Sequence, residues 1–207
     1  MTWLEQLRTF VGGVTPRDFE RSLAPDEVIG RESAILLLFA DGPTGPDVLI
    51  IERSEQLRSH AGQPAFPGGG AEPDDDTLIT TALREAQEET GVNPVDVTVI
   101  GLLPRLFVPV SGFVVTPVVA YWHNPGPVHA ADPIEVARVF RIPVSQLVDP
   151  ANRVRWRHPR GYLGPGFQID DLLIWGFTAQ LIDDLLRLLD WDEPWDTTRT
   201  VDVRVRS

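Results

Sequence analysis

The chain has 207 residues, 43% of them hydrophobic and 23% charged, enough to bury a full core as one large domain or one domain with extensions. Cysteine is absent, which excludes disulfides, thiolate metal sites and a thiol nucleophile. A formal net charge of −12 repels nucleic acid and anionic membrane. No apolar run is long enough to span a bilayer, and the start MTWLEQLRTF carries no signal-peptide pattern, so a cytoplasmic location is expected.

Residues 1–30 read as an N-terminal extension, with a short helix over Thr2–Val11 and then a proline- and charge-rich connection. SAILLLF (Ser33–Phe39) and VLIIER (Val48–Arg53) are apolar, β-branched-rich runs on either side of DGPTGPD, which predicts two strands and a turn. A loop ending in FPGGG follows, then a helix over Asp76–Thr90 stopped by Gly91. Val95–Leu103, Val114–Trp122 and Val139–Pro143 predict further strands, and Val154–Leu163 a short hairpin around His158-Pro159. Asp171–Leu189 carries an apolar stripe and predicts a long core helix despite Gly176. The tail, 191–207, is polar, and its Trp191 and Trp195 either mark a homodimer contact or pack locally. Strands around a central helix, with a second helix late in the chain, predict an α/β domain over residues 31–190, two helical layers on a mixed sheet.

One stretch needs a chemical explanation. REAQEETGV, Arg84 to Val92, places Glu85, Glu88 and Glu89 within five positions just before a helix-stopping glycine. Carboxylates three and four apart on a helix repel, by roughly 0.2–0.5 kcal/mol per pair. Near the C-terminus they also oppose the macrodipole, at about 0.3–1 kcal/mol each. At about 100° per residue, Leu78, Ile79, Ala82, Leu83 and Ala86 share an arc roughly 140° wide, which is a core-facing stripe. Glu85 and Glu89 then lie about 40° apart on one flank, and Glu88 sits further out, spaced i, i+4 from Arg84. Two partly desolvated carboxylates side by side require a counter-charge or a shared proton. A hard dication such as Mg²⁺ supplies that charge and keeps waters for a phosphate-bearing substrate.

The upstream residues strengthen this reading. Phe66-Pro67-Gly68-Gly69-Gly70 lets backbone N–H groups of Gly68, Gly69 and Gly70 approach phosphate oxygens while carboxylates hold metal. Gly70, five residues, Asp76, seven residues and then REAQEETGV resembles the Nudix box, GX5EX7REUXEEXGU, where U is a bulky aliphatic residue. The resemblance implies the Nudix fold, an α/β/α sandwich with a central mixed sheet, and hydrolysis of a nucleoside diphosphate linked to another group. It implies Glu85 and Glu89 as principal ligands of Mg²⁺ or Mn²⁺, with Glu88 either a third ligand or the partner of Arg84. The general base then comes from the box or from a later loop, where Glu135 in DPIEV is the candidate. Two positions depart from the pattern. Asp76 replaces a glutamate that braces the loop, a task Asp74 and Asp75 can share, and Ala86 replaces a larger aliphatic on the core side.

IIERSEQLRSHAGQPAFPGG also resembles the signature of the coenzyme A pyrophosphatase branch, LLTXRSX3RX3GX3FPGG. Arg53, Ser54, Arg58, Gly62, Phe66, Pro67, Gly68 and Gly69 fall in register, while Ile51 replaces a threonine and Ile50 a leucine. The resemblance implies a coenzyme A-like small-molecule diphosphate as substrate. Guanidinium forks at Arg53 and Arg58 suit its phosphates, although either can instead pair with Glu52, Glu55 or the acidic helix. His60 reads as structural, and Phe66 as packing beneath the loop rather than stacking on adenine. The competing readings are a Nudix enzyme for another diphosphate such as ADP-ribose, and a Nudix-shaped binding module without turnover.

Overall fold

The computed structural model describes residues 1–19, 30–57, 60–109 and 111–203. Its helices are α1 (Trp3–Gly13), α2 (Leu78–Thr90), α3 (Val144–Val148) and α4 (Gly176–Leu188). The main-sheet strands are β1 (Arg31–Gly42), β2 (Gly45–Arg53), β3 (Pro64–Ala65), β4 (Gly68–Gly70), β5 (Val97–Leu102), β6 (Leu106–Val108), β7 (Phe113–Trp122) and β8 (Val136–Pro143). A second, smaller sheet holds β9 (Arg153–Arg157), β10 (Leu163–Ile169), β11 (Leu172–Ile174) and β12 (Thr200–Asp202). β1 runs parallel to β7 and antiparallel to β2 and β4, so the main sheet is mixed. Among the described residues no helix is long and apolar enough to cross a membrane.

Strand alternation divides the core in two. Ala34, Leu36, Leu38 and Ala40 of β1 pack with Ala82 and Ala86 of α2. Leu37 and Phe39 point to the opposite face, where Leu181, Ile182 and Leu185 of α4 cover the sheet. Leu78, Ile79 and Leu83 lie against the first of these clusters, so the apolar arc of α2 is the one its sequence predicts. The sheet is therefore sandwiched between helical layers, with α2 on one side and α4 on the other.

Several boundaries differ from the sequence reading for identifiable reasons. The expected Gly68–Gly70 loop is strand β4, bonded to Ser33–Ile35 of β1. Helix α2 starts two residues later than expected, because the Thr77 hydroxyl accepts the Thr80 N–H at 3.1 Å and so caps it. Leu172–Ile174 is strand rather than helix: a turn with Asp170 at φ +50° folds it back on β10. An apolar run of that length has no periodicity to distinguish the two states. Gly176, at φ +67°, then opens α4. β6 and α3 are too short to leave a pattern in the sequence.

Both chain ends are engaged. Leu7 of α1 is fully buried, and Gln6 Nε2 donates to the Leu189 carbonyl at 2.8 Å. Trp191 Nε1 donates to Gln6 Oε1 at 2.9 Å, and the Arg153 guanidinium lies over the rings of both Trp195 and Phe167. The tail tryptophans thus pack within their own chain, and β12 adds to β9 in parallel. Residues 20–29 of the expected extension lie outside the described residues. Leu7→Ala is expected to cost about 2–5 kcal/mol, as for other emptied core sites. In urea, tryptophan fluorescence and far-UV circular dichroism should then shift together; a separate early transition would show α1 to be dispensable.

Candidate active site

The C-terminal half of α2 lies against β4, and the approach is close enough to dictate glycine. A Cβ at Gly69 would sit 2.3 Å from Glu85 Oε1, and one at Gly68 would sit 2.3 Å from the Ala34 carbonyl oxygen. Gly68 also donates its N–H to Glu89 Oε2 at 2.9 Å. The amide expected to face phosphate is therefore directed at a carboxylate of the box. Gly91, at φ +73°, ends α2 in the left-handed region, and the chain after it returns past the helix end. There the Ala131 N–H donates to the Glu89 carbonyl oxygen at 3.1 Å.

Glu89 is 2% exposed. Burial pushes its carboxyl up to about 8, against the pull of the Gly68 N–H and Arg53, while Glu85 and Glu135 push it further up. Glu85 is mostly buried and is raised by the same desolvation, opposed by Arg84 and reinforced by Glu88 and Glu135. Glu88 is largely exposed, its side chain 58% accessible, and pairs with Arg84 at 3.0 Å. The flank predicted for Glu85 and Glu89 is thus the buried one.

Arg84 is saturated. Its Nε and Nη2 donate to the two Asp75 oxygens at 3.1 and 3.0 Å, Nη2 also to the Gly70 carbonyl, and Nη1 to Glu88. Nη1 also lies 3.1 Å from Glu85 Oε1. Asp75 in turn accepts from the Thr81 hydroxyl and the Glu72 N–H. The Arg84 fork holds the Asp75 carboxyl well below the usual carboxylate range, and the same pair raises the arginine. Asp76 and Asp74 are exposed, and neither makes a hydrogen bond or ion pair among the described residues. The loop brace therefore falls to Asp75 alone, one position before the pattern places it. Thr81 was not signalled by the motif; a hydroxyl in the buried arc of α2, six residues after Asp75, is its only trace in the sequence.

Arg53 comes from the end of β2. Its backbone is pinned to the following loop, N–H to the Gln63 carbonyl and carbonyl to the Gly62 N–H, and Nη1 lies 3.7 Å from Glu89 Oε1. Arg58 lies outside the described residues. Glu135 precedes β8, where the register slips so that Glu52 faces Arg138 but Arg53 faces Val136. Ala137 is the extra residue of this bulge, which changes the phase of the strand end. The Glu135 carbonyl accepts the Ser54 N–H at 2.8 Å, and its exposed carboxylate acts on both buried glutamates. His60 is tied locally, Nδ1 to Gln63 Oε1 at 2.9 Å, and Phe66 is buried in the core.

Among the described residues no three His, Asp or Glu side chains are gathered into a ready cation cage. Arg84 draws Glu88 outward and also holds Glu85. The donor set still suits a hard dication: two carboxylates buried at a surface edge, neither fully compensated by protein cations.

A family model for the NUDIX domain matches residues 30–163. The Nudix hydrolase NudL of Citrobacter koseri is 39% identical over 166 residues, covering 77% of this chain and 83% of that one. Its namesake from Pectobacterium atrosepticum is 41% identical over 162 residues, with 75% and 81% covered. Among solved structures, the NUDIX domain of Shewanella oneidensis NrtR complexed with ADP ribose superposes with TM-score 0.51 at 18% identity, over 91% of this chain and 99% of that one. A MutT/nudix family protein from Enterococcus faecalis gives 0.52 at 16% identity, over 92% and 75%. At such identities the two structures speak to the fold alone. Glycine strand, acidic helix end and saturated arginine are the parts that the family match spans, and the chain belongs to the Nudix hydrolases, enzymes acting on diphosphate bonds.

Proposed function

We propose that the protein hydrolyses the diphosphate of coenzyme A or its derivatives, giving adenosine 3′,5′-bisphosphate and 4′-phosphopantetheine or its acyl form. The observation that carries this reading is the register of Arg53, Ser54, Arg58, Gly62 and Phe66–Gly69 with the coenzyme A signature. The position of Arg53 beside Glu89 supports it, since the one guanidinium of that signature among the described residues lies at the acidic centre.

Glu85 and Glu89 are the side chains that would hold Mg²⁺ or Mn²⁺, with Glu88 able to join them by leaving Arg84. Such an ion supplies charge neutralisation and lowers the pKa of a bound water. The protein's own residues do the rest. Gly68 fixes one oxygen of Glu89 and leaves the other facing the site. Arg53 and Arg58 grip substrate phosphates with charge-assisted hydrogen bonds. Arg84, braced by Asp75, holds Glu85 and the carbonyl of Gly70 in place. Glu135 accepts the proton of the attacking water; the water oxygen forms the new P–O bond while the bridging P–O bond breaks, its electron pair leaving with the departing phosphate. Placement of these groups is where most of the rate gain arises in phosphoryl transfer.

With Mg²⁺ or Mn²⁺ present, coenzyme A should be cleaved far faster than ADP-ribose or dinucleoside polyphosphates, as chromatography of the products will show; the reverse order would assign another diphosphate. Glu89→Gln should bring turnover to background with folding retained. Arg58→Ala should penalise coenzyme A more than its 3′-dephosphorylated form.

Asp75→Asn should lower kcat by about 10–100-fold with little change in KM, the scale of a lost supporting interaction around a metal ligand. Asp76→Asn should leave kcat near wild type; equal losses in the two variants would contradict the brace described above.

Burial also predicts a pH dependence of stability. Glu89 binds its proton more tightly folded than unfolded, so that contribution is complete below its model-peptide value of 4.5 and is lost as pH rises through about 8. In chelator, the melting temperature should therefore fall between about pH 4.5 and pH 8, by the equivalent of a few kcal/mol at most. Mg²⁺ should restore it, and Glu89→Gln should flatten the profile.

A further inference from the structure

The two arginines at the acidic centre use their donors in opposite ways. Arg84 donates to Asp75, Glu88 and the Gly70 carbonyl, and approaches Glu85. Arg53 donates no hydrogen bond from its guanidinium among the described residues, and its Nε is buried without a partner. Its one charged contact is a 3.7 Å approach to Glu89 Oε1, too long for a hydrogen bond. Glu89 Oε2 is meanwhile committed to the Gly68 amide. Leaving that buried Nε–H unpaired is costly unless an acceptor arrives, and the fork carries its other N–H donors in fixed geometry beside it. The backbone of Arg53 is held by Gly62 and Gln63, which fixes where its side chain leaves the strand beside Glu89.

Resting on the diphosphatase reading above, we propose that Arg53 is an exchangeable counter-ion. It stands against Glu89, and on loading it would give up that carboxylate and turn its free donors to the substrate diphosphate. A dication held by Glu89 would compete with Arg53 for that carboxylate, since its other oxygen is held by Gly68. Arg53 and the diphosphate, by contrast, are complementary. The residue thus opposes one ligand and favours the other, and the site favours taking metal and diphosphate together over either alone. Linkage requires that removing such a competitor tighten metal binding.

Calorimetric titration at pH 8.5 with Mg²⁺ alone, and separately with ADP as a minimal diphosphate in saturating Mg²⁺, tests this on the full chain. Arg53→Gln should bind Mg²⁺ about 3–10-fold more tightly than wild type, or roughly 0.7–1.4 kcal/mol. The same variant should bind ADP at least tenfold more weakly. A residue that merely supports the fold would weaken both. Arg53→Met, which keeps the apolar length of the side chain, repeats the test if the glutamine variant does not fold. Mg²⁺ affinity that is unchanged or weaker in a folded variant overturns the exchange and leaves the diphosphatase reading standing. A wild type that takes up no Mg²⁺ overturns both.

Discussion

A single hydrogen bond organises this site, the one from the Gly68 N–H to the carboxylate of Glu89. It joins the glycine strand to the end of the acidic helix and lets a glutamate sit in an almost closed environment. Burying a carboxylate without partners is among the most costly events in folding. Here one oxygen has an amide, the other has only a distant guanidinium, and neighbouring carboxylates raise the difficulty. Such a group is half-compensated by construction. The remainder of its compensation has to come from a proton or from a cation that the chain does not itself supply, which is what a metal-dependent centre requires.

Everything that holds this bond in place follows from packing. β4 is paired to β1 along Gly68–Gly70, and β1 is paired along its length to β7, so the glycines are fixed to the centre of the sheet. α2 is fixed to the same sheet by Ala82 and Ala86, small residues that bring the helix close. This gives Ala86 a physical role where the family pattern has a larger aliphatic. A bulkier side chain would hold α2 further from β1 and lengthen the Gly68–Glu89 contact, unless the strands moved too. The loop brace shows a similar local adjustment. Asp75 reaches Arg84 with both oxygens while also taking the Thr81 hydroxyl, so the shorter side chain, placed one residue earlier, serves the geometry that a glutamate would reach from the next position.

The layered fold and the glutamates of the site were legible in the sequence because both depend on periodicity. The apolar arc of α2 and the flank carrying Glu85 and Glu89 follow from 100° per residue, and the structure has them on those sides. What the sequence obscured depends on contacts remote in the chain. A three-glycine run has no strand signal, yet β1 offers Gly68–Gly70 a partner edge. Leu172–Ile174 lacks a period, and only the left-handed turn at Asp170 assigns it to a sheet. Which aspartate would brace Arg84 rested on the approach of the Glu72–Asp75 turn to α2, a tertiary fact. The bulge beside Glu135 is likewise invisible until β8 meets β2.

Charge composition gives these local facts a common setting. All 18 basic side chains are arginine, in a chain of net charge −12. With so many carboxylates available, several half-exposed arginines are paired: Arg138 with Glu52 and Asp171, Arg141 with Asp47, Arg187 with Asp184. Arg153, the most deeply buried, has Asp183 as its ion pair. Arg53, by contrast, stands beside a buried carboxylate that is held elsewhere. Glu89 is turned to Gly68, and Glu85 to Arg84. The carboxylate beside Arg53 is thus restrained by another donor, and the fork keeps donors for an anionic substrate in an otherwise repulsive acidic chain. Net charge sets the long-range barrier, and the restrained glutamates decide where that barrier has a gap.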